Sequence, residues 1–248
     1  MRGHWIWSLI VLALLCVPNV YAEKQGVGQV SLVEGSASVQ RAKGEAFVDL
    51  KLGDSVYKGD RVRTAEKSRL EIRFHDGSIL RLAANTQIKM RYVQRQGEGR
   101  KKTASDKLRK KIKIKLILGK LWSLVNRSIG HEEVFSIQTA NAVAGVRGTK
   151  FQTTYSAADG TGVKVYNGKV LVSNKPIYAQ KTKGKERVQV PGPAEISKQE
   201  WNEIVAAAME QVRVLADGSM SKKTPFALAK NDPWESWNLA RDKGQGLH

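Results

Sequence analysis

The stretch LEIRFHDGSILRL, residues 70–82, decides how this chain folds. Leu70, Ile72 and Phe74 alternate with polar side chains, and this period of two gives a strand one buried face and one wet face. Asp76-Gly77 follows as a tight-turn signal, because glycine tolerates positive φ. A second alternating run then begins, so the stretch predicts a β-hairpin.

The same texture continues on both sides of this hairpin. Residues 151–155 and 163–166 predict a second hairpin with its turn near Asp159-Gly160, and Asn167-Gly168 turns the chain again into residues 170–172. Short strands with turn signals at this spacing are typical of all-β domains. We therefore expect a mainly β fold over residues 27–190, either an antiparallel sandwich or a short solenoid-like domain.

The strand-like pattern ends near residue 191, and the sequence that follows predicts helices. Ser197 and Glu200 form a capping box, and an apolar stripe from Trp201 to Leu215 has helical spacing. A further short helix is expected from Pro233 to Arg241. These patterns predict a C-terminal helical extension over residues 195–242, docked on the β domain.

The first 22 residues have the pattern of an export signal. Arg2 precedes a short apolar run, and Val20-Tyr21-Ala22 ends the segment with the small residues that a signal peptidase reads. The run is too short for a spanning helix. Cleavage after Ala22 would also remove Cys16, the only cysteine. We expect an exported protein without disulfides and without a transmembrane anchor after cleavage.

The chain is strongly basic, with a formal charge of +19 that falls to about +18 once Arg2 is removed. Such a surplus favours anionic partners. Much of it lies in residues 94–115. Between Arg100 and Lys115, Asp106 is the one acid among the cations that we take as candidate binding residues. They are Arg100, Lys101, Lys102, Lys107, Arg109, Lys110, Lys111, Lys113 and Lys115. The segment is either a solvated loop or a contact with an anionic polymer or head group, and its last residues alternate as a strand.

Several motifs together resemble one known family. The first half of a FecR domain is similar to LGD at 52–54, GDRVRT at 59–64, residues 68–72, HDGS at 75–78 and LRL at 80–82. Its second half is similar to FSIQTANAVAGVRGTKF at 135–151, the most specific part, and residues 163–172 resemble the strand pair that closes it.

The resemblance implies a periplasmic, mostly β domain. Its best-known members relay a signal from an outer-membrane transporter to a membrane-bound anti-sigma segment. Because no cytoplasmic segment precedes the apolar run and no second spanning helix follows, we expect a stand-alone exported member. The motif residues that the family pattern singles out are Asp76, Gly77, Gly145, Arg147, Gly148 and Thr149.

These motif residues have structural interpretations of their own. Asp76 and Gly77 are expected to form a turn, and Gly145 and Gly148 to supply special backbone angles. Arg147 would brace neighbouring carbonyls or a carboxylate, or contact a ligand. Thr149 would satisfy a turn locally.

No constellation for catalysis is recognisable. His75 and His131 are far apart and have no metal-ligand spacing, and no nucleophile elbow or phosphate loop is present. We therefore expect a protein that is not an enzyme and that needs no metal or cofactor.

The sequence thus favours a periplasmic interaction module, acting in envelope signalling or scaffolding through an unknown envelope protein. The alternative is a binder of anionic envelope polymers, such as lipopolysaccharide, wall polymer or phospholipid head groups, through residues 100–115. Nucleic acid is an unlikely partner after export.

Overall fold

A computed structural model describes residues 26–94, 111–126, 134–146, 148–174, 205–229 and 231–247. It contains seventeen strands and a C-terminal helix. In chain order they are β1 Gly28–Glu34, β2 Ala37–Gln40, β3 Phe47–Asp49, β4 Ser55–Val56, β5 Arg61–Thr64, β6 Arg69–Phe74, β7 Ile79–Leu82, β8 Gln87–Gln94, β9 Lys111–Leu124, β10 Val134–Gln138, β11 Ala142–Val146, β12 Lys150–Ser156, β13 Gly160–Asn167, β14 Val170–Asn174, β15 Val205–Ala206, β16 Glu210–Val214, β17 Thr224–Pro225 and α1 Pro233–Gly244.

The strands form two layers that share one strand. Sheet 1 has the order β4-β1-β6-β7-β9-β12-β13-β16-β17, and sheet 2 has the order β3-β2-β5-β8-β9-β10-β11-β14-β15. Neighbouring strands are antiparallel except β9 and β10, which run parallel. The expected mainly β fold is confirmed, and of the two expected architectures the structure is the sandwich.

The core lies between the two sheets. Leu70 and Ile72 of sheet 1 and Ile114 of sheet 2 are fully buried in one hydrophobic cluster. The rings of Phe74 in sheet 1 and Phe135 in sheet 2 meet edge to face, with centroids 6.0 Å apart. Each such side chain contributes about 1.5–3 kcal/mol on burial, so the apolar half of every alternating strand holds the layers together.

Both predicted hairpins are confirmed. β6 and β7 pair antiparallel with Leu70 opposite Leu82, and β12 and β13 pair with Phe151 opposite Val165. The strand after Asn167-Gly168 behaves differently, because β14 pairs with β11 in sheet 2. The turn at Gly168, where φ is +84°, therefore carries the chain from one layer to the other.

The prediction of a helix from Trp201 to Leu215 is wrong for residues 205–215, which are the part of this segment that the structure describes. Residues 205–214 form β15 and β16 instead, with the chain turning at Met209, whose φ is +63°. β16 pairs with β13, which satisfies backbone groups of that strand and buries Val212 and Val214. The short C-terminal helix is confirmed as α1.

Three predictions fall outside the described residues. They concern the export signal at residues 1–22, the capping box at 197–200 and the boundary of the β domain at residue 190. Strands β16 and β17 lie beyond that boundary and belong to sheet 1. Within the described ranges, no helix combines the length and hydropathy that crossing a membrane requires.

Strand β9 bends at Gly119, and the bend lets it serve both sheets. Residues 111–118 pair with β8 in sheet 2, whereas residues 119–124 pair with β12 in sheet 1. Gly119 has φ +102°, which side chains disfavour. Thr86 fixes the bend, because its Oγ1 accepts a hydrogen bond from the Lys120 amide at 3.1 Å.

Replacing Gly119 by Ala should therefore destabilise the fold by about 3 kcal/mol or more, since strain at positive φ is joined by a steric clash. A Cβ there would lie 2.7 Å from Thr86 Cα and would also touch Thr86 Oγ1. Gly53→Ala is the matched control, because Gly53 has φ +88° but open space around it, and about 1 kcal/mol is expected. Denaturant unfolding measures both losses, and equal losses would show that the contact with Thr86 does not matter.

Candidate interaction site

The outer face of sheet 1 carries a row of polar side chains in register. Glu71 of β6 lies opposite Arg81 of β7, which lies opposite Trp122 of β9. Trp122 lies opposite Gln152 of β12, and Gln152 opposite Lys164 of β13. Period-two alternation puts these residues on the face away from the core. Glu71, Arg81 and Trp122 are nevertheless fully buried, because α1 covers this face.

Helix α1 begins at a well-formed N-terminus. The Asp232 carboxylate accepts hydrogen bonds from the amides of Trp234 at 2.9 Å and Glu235 at 3.2 Å, and Pro233 occupies the first turn. Arg241 and Lys243 lie in the last turn, where cations complement the helix dipole. The side chains that α1 buries include Glu235, Asn238 and Asp242, so the helix docks by polar groups as well as by Trp234.

Four charged side chains form the centre of this interface. Arg81 donates to Glu71 at 2.7 Å through Nε and to Asp242 at 2.5 Å through Nη1. Arg241 of α1 also donates to Glu71, at 2.6 Å through Nε and 3.1 Å through its second nitrogen. Beside these four, Lys150 of β12 adds a third cation, with its Nζ 3.1 Å from Asp242 Oδ2. Buried pairs add little net stability, but removing one partner leaves an unpaired buried charge, so this network sets the position of α1.

The environment of Glu71 keeps its carboxylate charged. Burial alone would raise the pKa of Glu71. Hydrogen bonds from Arg241, Arg81 and Ser31 outweigh this effect and lower the pKa from 4.5 to about 2. Ser31 of β1 donates to Glu71 Oε1 at 2.7 Å. Both carboxylate oxygens therefore have partners, and the charge is fixed at any physiological pH.

A second charged contact anchors the start of α1. Tyr166 donates its hydroxyl hydrogen to Glu235 at 2.8 Å, and Lys164 Nζ lies 3.8 Å from the same carboxylate. Burial, followed by the bond to Glu235, raises the pKa of Tyr166 above its ordinary value. The Tyr166 ring packs on Trp122, with centroids 4.3 Å apart. The two ends of α1 are thus held by separate charge pairs.

Trp237 of α1 packs against cations of sheet 1. The guanidinium of Arg69 lies 4.7 Å from the Trp237 ring centroid and that of Arg81 lies 5.7 Å away. Arg241 of the helix approaches the same ring at 5.8 Å. Cation–π contacts of this kind favour one orientation of the indole and add to the specificity of docking.

An open groove continues along the outer face of sheet 1 beyond the start of α1. It has a volume of about 730 Å³, and its lining includes Lys120, Thr154, Gly162, Arg213 and Trp234. The exposed Arg213 side chain forms no hydrogen bond or ion pair with any residue that the structure describes, and Lys120 Nζ is only loosely paired, 3.8 Å from Asp232. The groove therefore offers two cations to an incoming acidic or hydrogen-bond-accepting segment. Its lining also includes one acid, Asp159, whose carboxylate accepts a hydrogen bond from the Ser156 hydroxyl at 2.7 Å.

The motif residues predicted from sequence lie away from this groove. The Asp76 carboxylate accepts hydrogen bonds from the Ser78 amide at 2.9 Å and from its hydroxyl at 3.1 Å, and Gly77 has φ +84°. In addition, Asn126 donates to the Asp76 carbonyl at 2.9 Å. The structure thus gives Asp76 and Gly77 the turn role that the sequence predicted for them.

The predictions for the second motif are partly wrong. Gly148 has the expected positive φ of +62°, but Gly145 does not and instead continues β11 opposite Leu171. The buried Thr149 hydroxyl makes no local turn bond, because it has no hydrogen-bond partner among the described residues. Arg147 lies outside the described residues.

The candidate basic residues are also separated from the groove. Arg100, Lys101, Lys102, Lys107, Arg109 and Lys110 lie outside the described residues. The backbone of Lys111 begins β9, and Lys113 and Lys115 occupy alternate positions of the same strand in sheet 2. The structure therefore places the described part of the basic segment on the opposite layer.

Sequence reasoning did not single out Glu71, Arg81 or Asp242. The alternation places Glu71 and Arg81 on the wet face of a hairpin, and Asp242 lies one residue beyond the short helix predicted from Pro233 to Arg241. Opposite charges at facing positions of a predicted hairpin, together with a tryptophan-containing helix elsewhere, are the signal from which a covered face could have been suspected.

The region that contains this face matches a known family. Residues 60–171 match the family model described as FecR protein, which confirms the resemblance seen in the sequence. Glu71, Arg81, Lys164 and Tyr166 lie within the matched range, whereas α1 lies after it. No curated protein matches the chain in sequence.

The comparison with solved structures found two that are similar to part of this chain. Two crystal structures of a candidate anti-sigma factor from Parabacteroides distasonis are similar to this chain, each with a TM-score of 0.44 and 17% sequence identity. The similarity covers 66% of this chain, which spans 59% of that protein's length.

Replacing Glu71 by Gln should destabilise the protein by about 3–5 kcal/mol near neutral pH, because Arg81 and Arg241 lose their shared carboxylate. The folded pKa of about 2 lies below the ordinary value of 4.5, so the stabilisation by Glu71 is complete above about pH 5 and is lost as the pH falls towards 2. The acid-induced loss of stability should thus be smaller in the variant than in the unmodified protein. Unfolding by urea from pH 7 to about pH 3 measures this difference.

Glu66→Gln is the control, because the exposed Glu66 side chain has no described hydrogen bond or ion pair. It should leave both stability and its pH dependence nearly unchanged. Identical behaviour of the two variants would contradict the role assigned to the buried network.

Proposed function

We propose that this chain, with its FecR domain over residues 60–171, is an exported interaction module of the cell envelope. It acts in the periplasm after removal of residues 1–22 and binds another envelope protein in a signalling or scaffolding role. The family match supports a regulatory interaction module, and the N-terminal sequence pattern supports export.

One observation carries the proposal. The outer face of the FecR segment already binds a helix, α1, through a network of charged groups in which Arg81, Glu71 and Asp242 are buried and Arg241 shares Glu71 with Arg81. A helix that only covered the sheet would make apolar contacts, and it could shift along the sheet without losing them. A contact built from matched charges accepts one partner in one register, which is how specific protein interfaces discriminate.

The partner segment docks in the groove beside the start of α1. Arg213 and Lys120 supply charges for acidic side chains, and Leu118, which is 46% exposed, supplies an apolar contact. Thr154 and Gly162 both line this groove. The Thr154 side chain fills the space beside Gly162, because a Cβ added there would lie 2.6 Å from Thr154 Oγ1.

We propose no catalytic step for this module. Glu71 has a pKa of about 2 and both of its oxygens are hydrogen-bonded, so it is a poor general acid at neutral pH. His75 Nε2 lies 2.8 Å from the Gly26 carbonyl, which engages that side of the ring.

A photo-crosslinking amino acid at position 118 should capture the partner in intact cells, whereas one at the exposed Leu52, on the β3–β4 turn, should not. Introducing Arg213→Glu should lower capture from position 118 by about tenfold or more, because reversing an interface charge repels an acidic segment. Arg73→Glu is the matched control, since Arg73 is an exposed cation on the same face outside the groove lining.

Equal capture with both charge reversals would reject the groove as the docking site. Capture from position 52 alone would place the partner elsewhere. Recovery of the uncut chain in the cytosol would overturn the export part of the proposal.

The second candidate function is binding of anionic envelope polymers through residues 100–115. It is supported by the local excess of cations in that segment. Replacing Lys107, Arg109, Lys110 and Lys111 by Gln should then release the protein from envelope preparations, and added salt should do the same. Retention that neither treatment changes would exclude this function, whatever the outcome of the crosslinking.

A further inference from the structure

The outer face of sheet 2 carries a cluster of cations, which we call the basic face. Alternation buries the intervening Val62, Ile88 and Ile114 in the core and turns the charged residues outward. The basic face comprises Arg61 and Arg63 of β5, Lys89 and Arg91 of β8, and Lys113 and Lys115 of β9. Four of the six were not identified from the sequence.

Three of these cations form a straight row across adjacent strands. Arg61 lies directly opposite Lys89, and Lys89 lies directly opposite Lys115. Adjacent strands are about 4.8 Å apart, so the positive charges repeat at about this interval. Like charges in facing positions destabilise a sheet, and an isolated protein gains nothing from such a row.

Nearby side chains do not neutralise the row. None of the six cations forms an ion pair within the part of the chain that the structure describes. The row ends at Gln40 on one side and Gln138 on the other, both uncharged. Asp49 of edge strand β3, opposite Ser38, is exposed and likewise has no described ion pair.

The contrast with sheet 1 is informative. Arg81 and Lys164 of that layer, and Arg241 of the helix that covers it, each lie within 4 Å of a carboxylate. The same chain therefore pairs its cations where it holds its own helix and leaves them unpaired on the opposite face. That difference points to a counter-charge that comes from outside the molecule.

We propose that the basic face binds a linear polyanion, a chain that repeats phosphate or carboxylate groups, laid across β5, β8 and β9. A linear partner matches a linear row of charges and neutralises several of them at once. The inference does not depend on a protein partner in the groove of sheet 1.

Two other partners fit this face less well. A membrane surface favours apolar side chains beside the cations, whereas glutamines border the central row. Single-stranded nucleic acid favours a series of exposed aromatic rings. The basic face has Phe47 at its edge, whose ring is covered by the Arg63 guanidinium 3.9 Å from its centroid, and Tyr92 opposite Lys113. We therefore take a flexible polyanion as the ligand and use both alternatives as outcomes of the test.

The test measures binding of fluorescently labelled long-chain inorganic polyphosphate to the purified protein by anisotropy. Replacing Arg61, Lys89 and Lys115 together by Gln should weaken binding at low salt by about tenfold or more, since each cation near a dense anionic charge contributes strongly. The control replaces three exposed lysines outside the basic face by Gln, namely Lys51, Lys222 and Lys243. It has the same net charge and should change affinity by less than about twofold if the row matters.

Folding is checked in the same samples. The basic-face variant should melt at the same temperature as the unmodified protein or higher, because removing facing like charges relieves repulsion. Poly-glutamate in place of polyphosphate separates carboxylate from phosphate recognition, and either binding pattern supports the proposal.

Four results would overturn it. Equal weakening by both triple variants would show that net charge alone governs binding. Loss of binding only when Lys107, Arg109 and Lys110 are replaced would assign the ligand to the connecting segment. If the Arg61, Lys89 and Lys115 variant lost more affinity for anionic lipid vesicles, or for single-stranded DNA, than for polyphosphate, the face would be assigned to that partner.

Discussion

The bend of β9 is the constraint on which the two-layer architecture depends. One strand contributes to sheet 2 before Gly119 and to sheet 1 after it, so both layers are anchored on the same backbone. The positive φ of Gly119 and the hydrogen bond from Lys120 to Thr86 hold that change of direction. The distance between the layers, the shared core and the direction of each outer face all follow from it.

The two outer faces differ in how their charges are paired. On sheet 1, Glu71 and Asp242 match Arg81 and Arg241, and the charges are buried under α1. On sheet 2, Lys89 stands between Arg61 and Lys115 with no acid in the row. Alternation alone produces an outer face on each sheet, but only the choice of residues decides whether that face binds inside the molecule or outside it.

Local pattern was enough to predict much of the fold. The alternation of Leu70, Ile72 and Phe74 and the turn at Asp76-Gly77 predicted β6 and β7, because both signals act within a few residues. The stripe from Trp201 to Leu215 failed for the opposite reason. Its residues satisfy helical spacing, but pairing of β16 with β13 is a tertiary contact that no local pattern contains.

The candidate site was less predictable, because its partners are distant in the chain. Arg81 and Asp242 are 161 residues apart, so their ion pair depends on how α1 returns to sheet 1. Lys113 and Lys115 were identified from the charge run, but their alignment with Lys89 and Arg61 depends on strand register. Composition indicates that cations are abundant, whereas only pairing shows which of them stand together.

The long separation in sequence between α1 and the strands that it covers has a consequence for folding. Until α1 docks, Glu71, Arg81 and Lys164 lack their partners from the helix. Much of the surface left open at that stage is hydrophilic, so water solvates those charges. Charged groups on an uncovered sheet face oppose association with other chains, so this surface resists aggregation before the helix arrives.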